Sequence, residues 1–165
     1  MLPIQFAIEL ETALNKQIEL VSDTVQAEFT PLITLISGFQ RQFLQLLSDA
    51  STVNIDREQY PAVNQDRLLG PDVAWRQFTG QNTSIIETNT QTITAIWSIY
   101  ALIDRSAQYY LQAATNSAHP ATGLFFHSLS QIKKILKGRL AGVIQMLYNH
   151  YWGKLGFAPF VLGKD

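Results

Sequence analysis

Between residues 121 and 152 an apolar side chain returns every three or four positions: Phe125, Leu129, Ile132, Leu136, Leu140, Val143, Leu147 and Tyr151. Only a helix of about 3.6 residues per turn brings that spacing onto one face. A strand would divide the same residues between two faces. A stripe this long has to be buried against other elements, so it predicts helix packing ahead of any other feature. The period recurs three more times. Ala7, Leu10, Leu14, Ile18, Val21, Val25 and Phe29 predict a helix over about 4–29. Leu32, Leu35, Ile36, Phe39, Phe43, Leu46 and Leu47 predict another over 32–47, and Ile86, Ile93, Ile96, Tyr100, Ile103, Ala107, Tyr110 and Ala114 a third over 84–116. No long window alternates like a strand, and no solenoid-length repeat is present. The expected fold is all-α: a four-helix-bundle-like single domain over 1–165, with inner faces that read as apolar throughout.

Boundaries follow from proline and from capping chemistry. Pro31 breaks or kinks the first stretch, because proline disfavours helix in the residue before it. Thr30-Pro31 leaves almost no loop, so the pattern fits either a hairpin or one long kinked helix. Asn54, Asp56, Pro61, Asn64, Asp66, Gly70 and Pro71 mark 48–83 as irregular. A short helix at 72–78, pinned by Trp75 and Phe78, should interrupt that connection. Ser84-Ile85-Ile86-Glu87 has the form of a capping box, and Asn82-Thr83-Ser84 is read with it as helix capping. His119-Pro120 makes a short link, so the last two helices should be antiparallel neighbours. The tail 153–165 carries Leu155, Phe157, Pro159 and Phe160, apolar enough to fold back or to meet a partner.

Composition excludes whole classes. A chain of 165 residues suits one domain and buries roughly two-thirds of its unfolded surface. Without cysteine it has no disulfide framework, no thiolate metal ligand and no thiol nucleophile. With 47% hydrophobic and 15% charged residues it is not disordered. A formal net charge of -1 excludes a globally basic nucleic-acid binder. The first residues carry Glu9 and Glu11 and lack a basic region, unlike a secretion signal. The apolar run from Thr88 to Ile103 is shorter than the 20 or so residues a membrane-spanning helix needs. A cytoplasmic protein is expected.

Catalytic constellations are missing from the pattern. Di-metal carboxylate sites in helical bundles need Glu-x-x-His motifs, and none occurs. The fourth helix has no carboxylate, and His127 and His150 are too far apart to share an ion. Ser128, Ser130 and His127 lack a Gly-x-Ser-x-Gly elbow. No phosphate-cradling glycine loop appears. Glu9 with Glu11, and Glu19 with Asp23, read as a solvated outer stripe. No catalytic, cofactor-binding or metal-ligating residue is assigned, and no cofactor is expected.

Charge is unevenly spread. Residues 1–104 hold five basic and twelve acidic side chains, whereas 105–164 hold seven basic and none acidic. Lys133, Lys134, Lys137 and Arg139 crowd into two turns. Like charges at i, i+4 are mildly destabilising unless something negative lies opposite; the readings are screening by the acidic first helix or plain solvation, an acidic partner or second subunit, or a phosphate or anionic surface. Gly138 and Gly142 each cost about 1 kcal/mol against alanine in a helix, which predicts a close crossing by another helix or a bulky group such as Phe39 or Trp97, with a ligand slot as the alternative. Tyr109, Tyr110, Tyr148, Tyr151, Trp152, Phe157 and Phe160 concentrate at the ends of the last two helices. The candidate interaction patch is therefore Lys133, Lys134, Lys137, Arg139, Tyr148, Tyr151, Trp152, Phe157 and Phe160.

The stretch Ala107-Gln-Tyr-Tyr-Leu-Gln-Ala-Ala114, then His119-Pro120 and Phe125-Phe126-x-x-Leu129, resembles the second helical hairpin of rubrerythrin-type ferritin-like proteins. The long connection between the second and third helices also suits that topology. The resemblance covers about a quarter of the chain. Where that family places Glu and Glu-x-x-His ligands on the last helix, this chain reads Ser130-Gln-Ile-Lys-Lys-Ile-Leu136, and the third helix offers only Asp104. The resemblance thus implies a member without its di-iron site, with Lys133 in the vacated space paired to Asp104.

The expected function is non-enzymatic: protein–protein binding or self-association, with a protein partner or a homo-oligomer. The first alternative is an amphipathic helical carrier or coat protein for a hydrophobic ligand, granule or peripheral membrane surface. The second is an unusual ferritin-like metal protein. Nucleic acid is a disfavoured partner, since four cations without interleaved aromatics make a poor nucleic-acid groove.

Overall fold

In the computed structural model the stripes read from the sequence become the inner faces of four long helices. The structure describes residues 2–52, 59–78 and 89–154, with side chains up to 149. The elements are α1 (Pro3–Ser22), α2 (Thr30–Ser51), the short α3 (Gln65–Leu69) and α4 (Asp72–Arg76), then α5 (Thr90–Thr115) and α6 (Pro120–Lys154). No strand occurs among the described residues. The chain is all-α, as the periodicity predicts.

Local chemistry explains the boundaries. Pro3 opens α1 at a position whose N–H has no helical partner. That helix ends at Ser22, seven residues short of the expected end. There the Ser22 and Thr24 hydroxyls donate to the carbonyls of Ile18 and Val21, at 2.5 and 2.7 Å. Ser and Thr offer the backbone such local alternatives to a continued helix. Pro31 does not break anything. It lies in the first turn of α2, where proline is tolerated. A 3₁₀ turn at Ala27–Phe29 joins α1 to α2, and the two helices pack together. They form a hairpin, which settles the question that Thr30-Pro31 leaves open.

Helix α5 begins at Thr90, not 84. Asn89 caps it, its Oδ1 accepting from the Thr92 N–H at 2.8 Å. The expected box at Ser84–Glu87 lies outside the described residues, as does Ile86. The turn before α2 clips onto this cap: the Gln26 N–H donates to Thr92 Oγ1, and the Asn89 N–H to Gln26 Oε1, both at 3.0 Å. At the other end of α5 the link to α6 is tight. A Cβ on Gly123 would stand 3.3 Å from the Ala114 carbonyl oxygen, so glycine lets the two helices close up.

Contacts fix the helix directions. Ser130 Oγ donates to the Ala107 carbonyl at 3.1 Å, and Lys137 Nζ to Asp104 Oδ1 at 3.0 Å, so α5 and α6 are antiparallel. Tyr109 donates to the Pro3 carbonyl, whereas Gln26 meets Asn89, so α1 and α5 are antiparallel too. The order is up, down, down, up, with one long crossover from α2 to α5. The described part of that crossover is held by aromatic groups. Tyr60 stacks on Phe125 with ring centres 4.8 Å apart, and its hydroxyl meets Thr122 Oγ1 at 2.6 Å. Trp75 is buried and donates its indole N–H to the Leu69 carbonyl at 2.8 Å, while Arg139 Cζ lies 5.5 Å from the Trp75 ring centre. Trp75 and Phe78 do pin this segment, as expected. The short α3 is an element the sequence reading did not anticipate. It is started by Asn64, whose Oδ1 accepts from the Arg67 N–H at 3.1 Å.

Candidate functional site

The interior is not apolar throughout. At its centre one polar side chain arrives from each long helix: Glu11 from α1, Gln40 from α2, Tyr110 from α5 and Lys133 from α6. All four are inaccessible to solvent or nearly so. This overturns the expectation of uniformly greasy inner faces. It also moves Glu11 from an outer acidic stripe to the core, and Lys133 from a surface patch to the core.

Glu11 organises the cluster. Its Oε1 accepts from the Tyr110 hydroxyl at 2.7 Å. Its Oε2 accepts from Lys133 Nζ at 2.8 Å and from Gln40 Nε2 at 2.5 Å. The same Gln40 amide nitrogen lies 3.2 Å from the Glu11 main-chain carbonyl, and the Gln40 oxygen faces Lys133 Nζ at 3.5 Å. The ammonium is also roofed by aromatic faces, 4.3 Å from the Phe43 ring centre and 5.3 Å from that of Phe39. Such faces attract a cation through the ring quadrupole. The site is thus a cage for one positive charge, built of a carboxylate, an amide oxygen and two rings, and the lysine of α6 fills it.

Burial and charge act in opposite directions here. Desolvation pulls the Lys133 ammonium below its usual pKa, while the Glu11 carboxylate beside it pulls it back up. Tyr110 is pushed well above the usual phenol range, first by burial and then by the negative charge of Glu11. The phenol therefore stays protonated and serves as a donor. Among the described residues Glu11, Gln40, Thr92, Ser106, Ser130 and Lys133 are buried together with the Tyr110 hydroxyl, and each has a hydrogen-bond partner: the quartet bonds within itself, Ser130 donates to Ala107, Ser106 to Ile103, and Thr92 receives the Gln26 N–H. Satisfaction of this kind is what a buried polar network requires.

The rest of the anticipated patch disperses. Lys134 is exposed. Asp104 is taken by the half-exposed Lys137, not by Lys133. Arg139 lies on Trp75 and the Leu69 carbonyl, at 3.4 Å from the latter. Tyr148 is half-buried edge-on against Trp97, ring centres 6.0 Å apart. The side chains of Tyr151 and Trp152, and all of Phe157 and Phe160, lie outside the described residues, as do the tail beyond Lys154 and the side chain of His150. No close crossing accounts for Gly138, since a Cβ there would meet nothing within 4 Å.

A second feature was missed by the sequence reading. The start of α1, the end of α2 and the α5–α6 turn share one end of the fold, and large apolar side chains are exposed there: Leu2 at 55%, Phe6 at 44%, Leu111 at 39% and Leu124 at 69%. Phe6 is held against Tyr109, ring centres 5.0 Å apart. Beside them opens a groove of about 520 Å³ lined by Ile4, Ile8, Ala50, Tyr60 and Phe126, with His119 at its rim. Among the described residues no group of three or more His, Asp or Glu could hold a metal ion, and no helix is long and apolar enough to cross a membrane. No family model matches the chain, and neither a curated protein nor a solved structure does.

Proposed function

We propose that this chain is a non-enzymatic helical protein that works by binding, either to another protein chain or to a second copy of itself. The observation that carries this reading is the apolar end. Leu2, Phe6, Leu111 and Leu124 are each exposed by more than a third, and Leu2 also lines a groove at the same end of the helices. Exposed apolar patches with polar surroundings mark interaction sites. The interior supports the same reading, because Glu11, Gln40, Tyr110 and Lys133 are engaged with one another rather than aimed at a substrate cavity. Sedimentation over a concentration series tests it, together with mass spectrometry of what co-purifies from the native source. The expected result is an assembly or a recovered partner that Phe6→Asp/Leu124→Asp abolishes while helix content is unchanged. A monodisperse monomer at high concentration with no co-purifying protein overturns it.

Two other readings each have one supporting observation. The groove suits an amphipathic carrier for a hydrophobic ligand, granule or membrane surface, and flotation with liposomes or granules separates that reading from the first. The up, down, down, up order with a single crossover is the arrangement of ferritin-like proteins, which favours an unusual metal protein of that class. Against it, the Lys133 ammonium puts a fixed positive charge at the centre of the helices. Stoichiometric iron or manganese in protein purified without chelator would decide for it.

A further inference from the structure

We infer that the Glu11–Gln40–Tyr110–Lys133 quartet is a register lock: it selects which faces and levels of the two hairpins meet, and it does so without adding to net stability. Hairpin α1–α2 carries the acceptor half, the Glu11 carboxylate with the Gln40 oxygen. Hairpin α5–α6 carries the donor half, the Tyr110 hydroxyl and the Lys133 ammonium. Among the described residues of its own hairpin the Glu11 carboxylate has only the Gln40 amide; the phenol and the ammonium that complete it come from the other hairpin.

The aliphatic side chains of the stripes do not choose a register by themselves. Helix α5 buries Ile93, Ile96, Ile99 and Ile103, and α6 buries Leu129, Ile132, Leu136 and Leu140. These side chains are nearly interchangeable in size and shape. A shift of α6 by one turn would leave greasy contacts much as they are, and cores tolerate such repacking when volume and pattern are kept. The same shift would set Leu129 or Leu136 against the Glu11 carboxylate and strand the ammonium among hydrocarbon. A buried charge without its partner is strongly penalised. The quartet therefore acts against alternative pairings rather than for the native one. Its desolvation offsets its attraction, and replacing buried ion pairs by apolar groups of similar volume is often neutral or stabilising.

The test is the volume-conserving variant Glu11→Met/Gln40→Met/Tyr110→Phe/Lys133→Met in the full chain, spin-labelled at the exposed positions Gln17 on α1 and Gln131 on α6. The unsubstituted quartet should give one narrow distance between labels and one set of amide resonances. The apolar variant should keep its helix content and a urea midpoint equal or higher, yet show a broadened or multiple distance and doubled resonances. A single narrow distance in that variant overturns the lock, because packing alone would then choose the register. A variant that fails to fold also overturns it, because the quartet would then supply stability. Glu11→Gln/Lys133→Met, which keeps the phenol and both amides, serves as the milder second measurement: its distance distribution should broaden, and an unchanged one counts against the proposal.

Discussion

Replacing Glu11 by glutamine removes one negative charge and almost no volume. Lys133 then retains only the Gln40 oxygen at 3.5 Å, the new amide and the faces of Phe39 and Phe43. Breaking a buried pair on one side costs about 3–5 kcal/mol. The structure also sets a ceiling. A stranded ammonium can escape by giving up its proton, and from the ordinary lysine value of 10.5 that costs about 5 kcal/mol at pH 7, at 1.36 kcal/mol per pH unit. Against a typical domain stability of 5–15 kcal/mol, Glu11→Gln should leave a folded but much weakened protein. Urea denaturation at pH 7 reads this as a lower midpoint at unchanged slope. The sign of its pH dependence is diagnostic. If the folded variant holds Lys133 neutral while the unfolded chain protonates it, the unfolded state binds one more proton, so stability rises by about 1.36 kcal/mol per pH unit from 7 towards 10. Adding Lys133→Met should then recover most of the loss, since Met fills the space under the rings without a charge. A Glu11→Gln cost below about 1 kcal/mol, with no rise at alkaline pH, would refute the argument that the two charges depend on each other in a dry interior.

Three further predictions rest on other parts of the molecule. The folded protein keeps the Tyr110 proton that the unfolded chain releases near pH 10, so stability should fall as pH climbs past that point. Lys133, depressed in the folded state, contributes the opposite slope below about 10.5. Tyr110→Phe should reduce the fall to the part that the half-buried Tyr109, also raised by burial, contributes, and should cost about 1.5–3 kcal/mol at pH 7 for a hydrogen bond to a charged group, measured by urea midpoints between pH 7 and 11. Trp75→Ala should cost about 3–5 kcal/mol and expose the crossover to limited proteolysis, because the ring carries both the Leu69 hydrogen bond and the Arg139 contact. Gly138→Ala should add about 1 kcal/mol, seen as a higher melting temperature, since nothing lies within 4 Å of the added methyl group.

The fold was legible because period 3.6 survives in every long helix: all seven stripe residues from Phe125 to Leu147 on α6 are buried. Helix ends were less legible where hydroxyls and amides decided them. Ser22 and Thr24 end α1 while Val25 and Phe29 still continue its apolar period. Asn89 starts α5 where Ile86 had suggested an earlier beginning. The polar quartet was missed for a reason inherent in helical spacing. Leu10 and Glu11 both fit between Ala7 and Leu14, and apolar preference selects the wrong one. Gln40 gave a clearer signal, being in phase with Ile36, Phe43 and Leu47, as Lys133 is with Leu129, Leu136 and Leu140. Three polar residues on three apolar stripes are together a sign of a paired interior. Read singly, each passes for an outward neighbour.

Glu11 and Lys133 are 122 residues apart in the chain. At about 5–20 residues per second, a ribosome making this protein would expose the carboxylate roughly 6–24 s before its ammonium is polymerised. During that interval α1 and α2 can already pair through their apolar faces, carrying a charge on the surface that α5 and α6 will later cover. Water holds that charge until the second hairpin is complete. Sealing that half onto some other greasy surface would bury a carboxylate without its cation, at the penalty such burial carries.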